Sequence, residues 1–157
     1  MIQRIQTVWL LVAALTCVVC LCLPVGQFYD MLGCECGRMM NLWVTLQDAD
    51  MVAPVRDFTP WALFALLVLV ATGLLFDIAL YRYRILQSRI AMLACIVLLG
   101  WYAAYGALAY FTAVRMECDF RPTPWAALPA VACILCYLAF RAILKDEMLV
   151  RSLDRLR

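Results

Sequence analysis

Four long apolar runs, separated by polar segments, make up most of this chain. Residues 5–24 carry no charged side chain, and roughly 20 apolar residues are what a helix needs to cross the hydrocarbon core of a bilayer. Pro24, Val25 and Gly26 end that run. Residues 60–80 form the second, interrupted only by Asp77, and residues 90–114 the third. The fourth covers 125–143, and a charged tail, 144–157, closes the chain. The second and fourth runs open on Thr59-Pro60-Trp61 and Thr123-Pro124-Trp125, where Thr suits a helix cap, Pro the first turn and Trp a membrane interface. Asp57-Phe58 and Asp119-Phe120 precede them. A duplicated helical hairpin would leave that echo, but helix starts at a membrane surface need such residues anyway.

The long polar segment, 25–59, holds the turn formers Gly33, Gly37, Asn41, Asp48, Asp50 and Pro54. Within it, residues 28–32 and 42–46 are expected to pair as a short β-hairpin across the Gly33–Arg38 turn, with an amphipathic helix over 39–46 as the alternative. In the third run, Gly100, Ala103, Ala104, Gly106 and Ala107 are small enough to let another helix approach closely. The pattern predicts an all-α integral membrane protein: a four-transmembrane-helix bundle in a single domain, 1–157, with a small extracytoplasmic segment at 25–59 and a cytoplasmic helical tail at 144–157.

Composition agrees. The chain is 68% apolar and 15% charged, with a mean hydropathy of +0.91, well outside the range of soluble domains. A net charge of +2, with no phosphate-binding glycine loop, gives no footing for nucleic acid. Histidine is absent, which removes the commonest general base and metal ligand, and no cofactor is implied. Arg4 before an apolar run resembles a secretory leader, but the run exceeds a leader's core and no small-residue cleavage site follows, so retention as a helix is expected. With four spans, Arg4, Arg82, Arg84, Arg89, Arg141, Lys145, Arg151, Arg155 and Arg157 fall on one side, and Arg38, Arg56, Arg115 and Arg121 on the other. The positive-inside rule then places both termini in the cytoplasm and segment 25–59 outside.

The chemistry on offer is sparse. Of nine cysteines, Cys17, Cys20, Cys22, Cys95, Cys133 and Cys136 lie within the spans, where thiols pack as small apolar groups. Cys133 and Cys136 share a helical face, which suits packing better than a soft-metal site. Cys34, Cys36 and Cys118 fall in outer segments, where an oxidising compartment permits disulfides. One of Cys34 and Cys36 is expected to pair with Cys118, provided the Cα atoms come within about 7 Å. A cysteine pair in the first outer segment and a cysteine in the second resemble the quinone-linked thiol oxidases of bacterial envelopes. That likeness is partial, since the pair here is C-x-C and the second segment has one cysteine; it implies an envelope thiol-disulfide oxidoreductase as an alternative function. Asp77 is the acid inside a span. It is expected to pair with Arg82, Arg84 or Arg4 near the helix end, the alternative being a proton or ion site in a small transporter. In the tail, Leu149, Leu153 and Leu156 recur at helical spacing, and Glu147 precedes Arg151 by four residues. That makes either a docking stripe for a partner or anionic lipid, or a solvated extension.

Residues 1–7 (MIQRIQT), residues 145–157 (KDEMLVRSLDRLR) and the Arg-rich inner turn with Leu86-Gln87 resemble a family of small Bacteroidetes membrane proteins known as a domain of unknown function, number 4293. The resemblance implies a bacterial inner-membrane location and a four-span helical fold; it supplies no activity, substrate or site residues. The resulting expectation is a non-catalytic accessory or assembly subunit embedded in the lipid bilayer. It would bind a protein partner or a second copy through a cytoplasmic rim of Arg4, Asp77, Arg82, Arg84, Arg89, Arg151 and Arg155.

Overall fold

A computed structural model describes residues 3–31, 33–46, 55–80 and 83–154. Its helices are α1 (Gln3–Cys22), α2 (Trp61–Ala79), α3 (Arg84–Met116) and α4 (Leu128–Asp154), the last entered through a 3₁₀ turn at Pro124–Ala127. Each helix packs on its neighbours in sequence, and α1 also packs on α4, closing a four-membered ring. Leu10, Leu63, Leu67, Leu74, Leu98, Trp101 and Ile143 fill its centre. Leu15, Leu69, Phe76, Leu99 and Ile134 point outward, each more than half exposed. A water-soluble bundle would be polar on that face; here all four helices are long and apolar enough to cross a membrane.

Helix α3 runs 33 residues, about 50 Å at 1.5 Å per residue, and takes in residues on both sides of the expected 90–114 span. At its far end Glu117 adopts a left-handed conformation (φ 54°), and the Cys118 amide bonds back to Ala113 O at 3.2 Å, turning the chain sharply. Of the five small residues expected to admit a neighbouring helix, only Ala104 packs against the core. Ala91, Ala94, Leu98, Trp101, Tyr105 and Ala109 are buried at helical spacing, whereas Gly100, Ala103, Gly106 and Ala107 are exposed. The 3.6-residue period forces the choice: with Trp101 in the core, the glycines fall on the outer side.

Beyond the bundle, the polar segments build a five-stranded antiparallel sheet rather than a lone hairpin. Its strands are β1 (Gly26–Tyr29), β2 (Glu35–Met39), β3 (Val44–Leu46), β4 (Val55–Asp57) and β5 (Asp119–Pro122), in the order β4-β3-β2-β1-β5. The expected pairing of 28–32 with 42–46 does not form, because the presumed turn is itself strand β2 and lies between them. The real turns are tighter. Gly33 takes φ +77° and its amide bonds to Asp30 O at 2.8 Å, while Met40 N bonds to Trp43 O at 2.9 Å. No helix forms over 39–46. Residues 115–123, between the third and fourth apolar runs, contribute β5, which pairs with β1 in register from Gly26↔Pro122 to Tyr29↔Asp119.

The sheet is fastened to the bundle by a column of rings and a seam of hydrogen bonds. Phe28 touches Phe120 (5.1 Å between centroids), Phe120 touches Tyr105 (5.9 Å), and Tyr105 stacks on Trp101 (5.1 Å). Asn41 Nδ2 donates to Cys20 O (2.7 Å), Tyr105 Oη to Val25 O (2.7 Å) and Thr123 Oγ1 to Pro24 O (2.5 Å). The first of these satisfies a carbonyl in the last turn of α1, where helix carbonyls lack intrahelical partners. Pro129, which has no N–H, cannot make the α-helical bond to the Trp125 carbonyl; that oxygen accepts instead from the Leu128 N–H, with the Cys20 thiol 3.9 Å away as a weak donor. Tyr102 enters the same turn, donating to Ala126 O (2.7 Å) and accepting from Ala130 N–H (3.0 Å). The two expected Thr caps are absent. Thr59 Oγ1 donates to Asp57 Oδ1 (2.5 Å) and Thr123 Oγ1 to Pro24 O, so neither oxygen serves a helix amide.

Candidate functional site

The α1–α2 and α3–α4 connections meet where β1 lies between β2 and β5. Phe28 faces Gly37 and Tyr29 faces Glu35, so Cys36 is an extra residue in β2, a bulge with no partner on β1. Cys118 stands two residues before Phe120, and strand alternation carries both toward the bundle, where both pack against the core. This arrangement brings Cys36 and Cys118 to the same end of β1, near enough for each thiol to sit in the other's electrostatic surroundings. The Cys36 thiol also lies 3.6 Å from Cys34 O and the Cys118 thiol 3.2 Å from Met116 O. Burial, followed by the neighbouring Cys36, pushes the Cys118 thiol up to about 11. Cys34 is exposed.

The outer face of the sheet is dressed with paired cations. Arg56 lies over the Trp43 ring (5.4 Å) and Arg121 over Tyr29 (4.9 Å), a cation–π arrangement. Arg38 bonds Glu35 through both Nε and Nη2, which lowers the Glu35 carboxyl below its ordinary range. Where β3 and β4 approach α3, a cleft of about 190 Å³ is lined by Leu46, Asp57, Leu108, Phe111 and Arg115, among others. The Arg115–Asp57 ion pair (3.6 Å) borders it. Sequence reading missed this cleft, although 108, 111, 112 and 115 recur at helical spacing; of the strands they face, 44–46 was expected to pair with 28–32 and 55–57 was given no strand.

At the opposite end of the bundle each helix contributes a polar side chain. Gln6 on α1 donates to Asp146 Oδ2 on α4 at 2.7 Å. Gln87 on α3 points at the Asp77 backbone oxygen on α2, 3.5 Å away, and Ser88 bonds to Ile85 O. Asp77 itself is fully buried, and among the described residues neither carboxylate oxygen has a hydrogen-bond partner. It therefore sits inside the bundle rather than on the surface of a rim. Of the expected rim, Arg89 is exposed. Arg82 and Arg155 lie outside the described residues, as do the side chains of Arg4, Arg84 and Arg151.

Inside the bundle, Cys95 and Cys133 face each other across α3 and α4, each thiol within 4.0 Å of the other's carbonyl oxygen. Cys17, Cys20 and Cys136 are buried. Cys136 is buried in the core and Cys133 packs against it; among the described residues no group of three or more Cys, Asp or Glu is arranged to hold a metal ion.

Ring closure, outward apolar faces and a capping sheet define a mostly helical protein with four helices of membrane-spanning length and a small antiparallel sheet at one end. The chain belongs to the family described as a domain of unknown function (DUF4293), whose model matches residues 2–156. No curated protein matches it.

Proposed function

We propose that the chain is an integral protein of a bacterial inner membrane, crossing it four times with both termini in the cytoplasm and the sheet outside, and that it serves a membrane complex as a non-catalytic accessory or assembly subunit. The observation that carries this reading is the distribution of apolar surface. The bundle centre is filled by its own side chains, while large apolar residues cover the outside of every helix, so the surfaces left to act are external ones facing lipid or another protein. The lysine and arginine bias supports the orientation. Recognition is assigned to the cytoplasmic rim around Arg82, Arg84 and Arg89, because the tail and the basic turn fall on that side. Crosslinking in native membranes followed by mass spectrometry tests it. The expected result is a defined partner whose crosslinks map to 81–89 and 144–157 and are lost in R82E/R84E. A chain recovered alone at every crosslinker concentration contradicts the reading.

One observation favours a second reading, a small transporter using Asp77 as its proton or ion site: a fully buried carboxyl with both oxygens unpaired among the described residues is costly to keep. Ion or proton flux into proteoliposomes that Asp77→Asn abolishes would establish it. Equal flux in the wild type and the variant would remove it.

A further inference from the structure

We propose that Cys36 and Cys118 are the partners of a disulfide that clips the α1–α2 connection to the α3–α4 connection, leaving Cys34 as a free surface thiol. The proposal rests on the reading that places the sheet on the oxidising side of the membrane. Its geometric ground is independent of that reading. Strand β1 ends at Tyr29, and the β2 bulge falls at its last register position, opposite Phe28 and Tyr29. On the other side β5 begins at Asp119, opposite Tyr29. Cys36 is therefore the unpaired residue of one flanking strand and Cys118 the residue just before the other, both at the Tyr29 end of β1, where each thiol falls within the other's electrostatic surroundings. Cys34 lies two residues from Cys36 with an exposed side chain, and its carbonyl is taken by the Asp30 amide at 2.9 Å. Three outer cysteines thus divide into a juxtaposed pair and a bystander.

The bond forms by exchange with a donor disulfide, carried by an envelope protein or a small molecule. A thiolate of the pair attacks one donor sulfur, breaking the donor S–S bond and giving a mixed disulfide; the second thiolate then attacks the sulfur of the first. The Cys36–Cys118 bond forms, two electrons pass to the donor, and the donor leaves as two thiols carrying the two protons.

The bond would join strands on either side of β1 and close a loop containing α2 and α3, so reduction should loosen the sheet end of the bundle. The full-length protein tests this without any variant. Membranes are quenched with an alkylating reagent, digested without reduction and mapped by mass spectrometry, and intact cells are labelled in parallel with a membrane-impermeant maleimide. The expected result is a peptide joining Cys36 to Cys118, two hydrogens lighter than its reduced parts, with Cys34 alkylated and reached by the impermeant reagent. In detergent, a reductant should lower the midpoint of thermal unfolding in the wild type and in Cys34→Ser, but not in Cys36→Ser or Cys118→Ser. Alkylated Cys36 and Cys118 in unreduced protein, with Cys34 labelled from outside, would overturn the disulfide and leave the orientation standing. A Cys34–Cys118 peptide would overturn the assignment. Cys34 reached only after the membrane is opened would overturn the orientation, and with it the oxidising surroundings on which the bond depends.

Discussion

Asp77 poses the sharpest question at the scale of single residues. A buried polar group without a hydrogen bond costs about 1–3 kcal/mol and a charged one more, and both Asp77 oxygens lack a partner among the described residues. Asp77→Leu should therefore raise stability toward unfolding in detergent by about 1–3 kcal/mol. A loss of comparable size would show instead that the carboxyl holds an ion pair with Arg4, Arg82 or Arg84, as its place in the sequence suggested. The tyrosines of the seam allow a differential comparison. Tyr105→Phe removes the bond to Val25 O and should cost about 1 kcal/mol. Tyr102→Phe should cost less in the same unfolding measurement, because the Ala130 amide and Ala126 carbonyl it bridges are four residues apart and can bond each other once the hydroxyl is gone.

Elements differ in how plainly the sequence announced them. The helices were legible because long apolar runs have few alternatives, and Asp77 stood out as the acid within one. The sheet was not: its strands are three to five residues long, and β2 is built from Glu35-Cys36-Gly37-Arg38-Met39, whose glycine and charges read as a turn. What makes β2 a strand is tertiary. Gly37 lets β3 approach so closely that an added Cβ would lie 2.6 Å from the Thr45 carbonyl oxygen. Because the obstacle is backbone, Gly37→Ala should separate β2 from β3, and hydrogen exchange should show faster amides in 37–39 and 44–46 with the bundle helices unchanged. The bulge that brings Cys36 toward Cys118 was invisible for the same reason, since nothing local to C-x-C specifies it.

The entry to α2 is held by charge as well as by backbone. Hydrogen bonds from Thr59, with a smaller contribution from Arg115, keep the Asp57 carboxyl below its ordinary 3.8. A carboxyl lowered on folding stabilises the fold above its unfolded value and stops doing so as pH falls through the lower folded value. Acidification below pH 3.8 should therefore release Thr59, and its amide should lose exchange protection on that side of the titration and not on the neutral side.

At the scale of the whole molecule, the lysine and arginine bias and the four apolar runs converge on one arrangement. The structure adds what the polar segments build, namely one sheet that ties the α1–α2 connection to the α3–α4 connection, with β1 joining them. Its basic side chains are tied to neighbours, Arg38 to Glu35, Arg56 over Trp43 and Arg121 over Tyr29, which suits a compact cap rather than a loose loop. At the opposite end the sequence led to the expectation of an arginine-rich rim; Arg89 there is exposed, whereas Asp77, counted with it, is buried in the interior. Four crossings with the sheet outside are the central claim, and protease protection in right-side-out spheroplasts tests it most directly, using one epitope tag within 47–54 and another after Arg157. The account predicts that protease removes the 47–54 tag while the C-terminal tag survives until the membrane is opened. A C-terminal tag lost from intact spheroplasts, or a 47–54 tag protected in them, would contradict it.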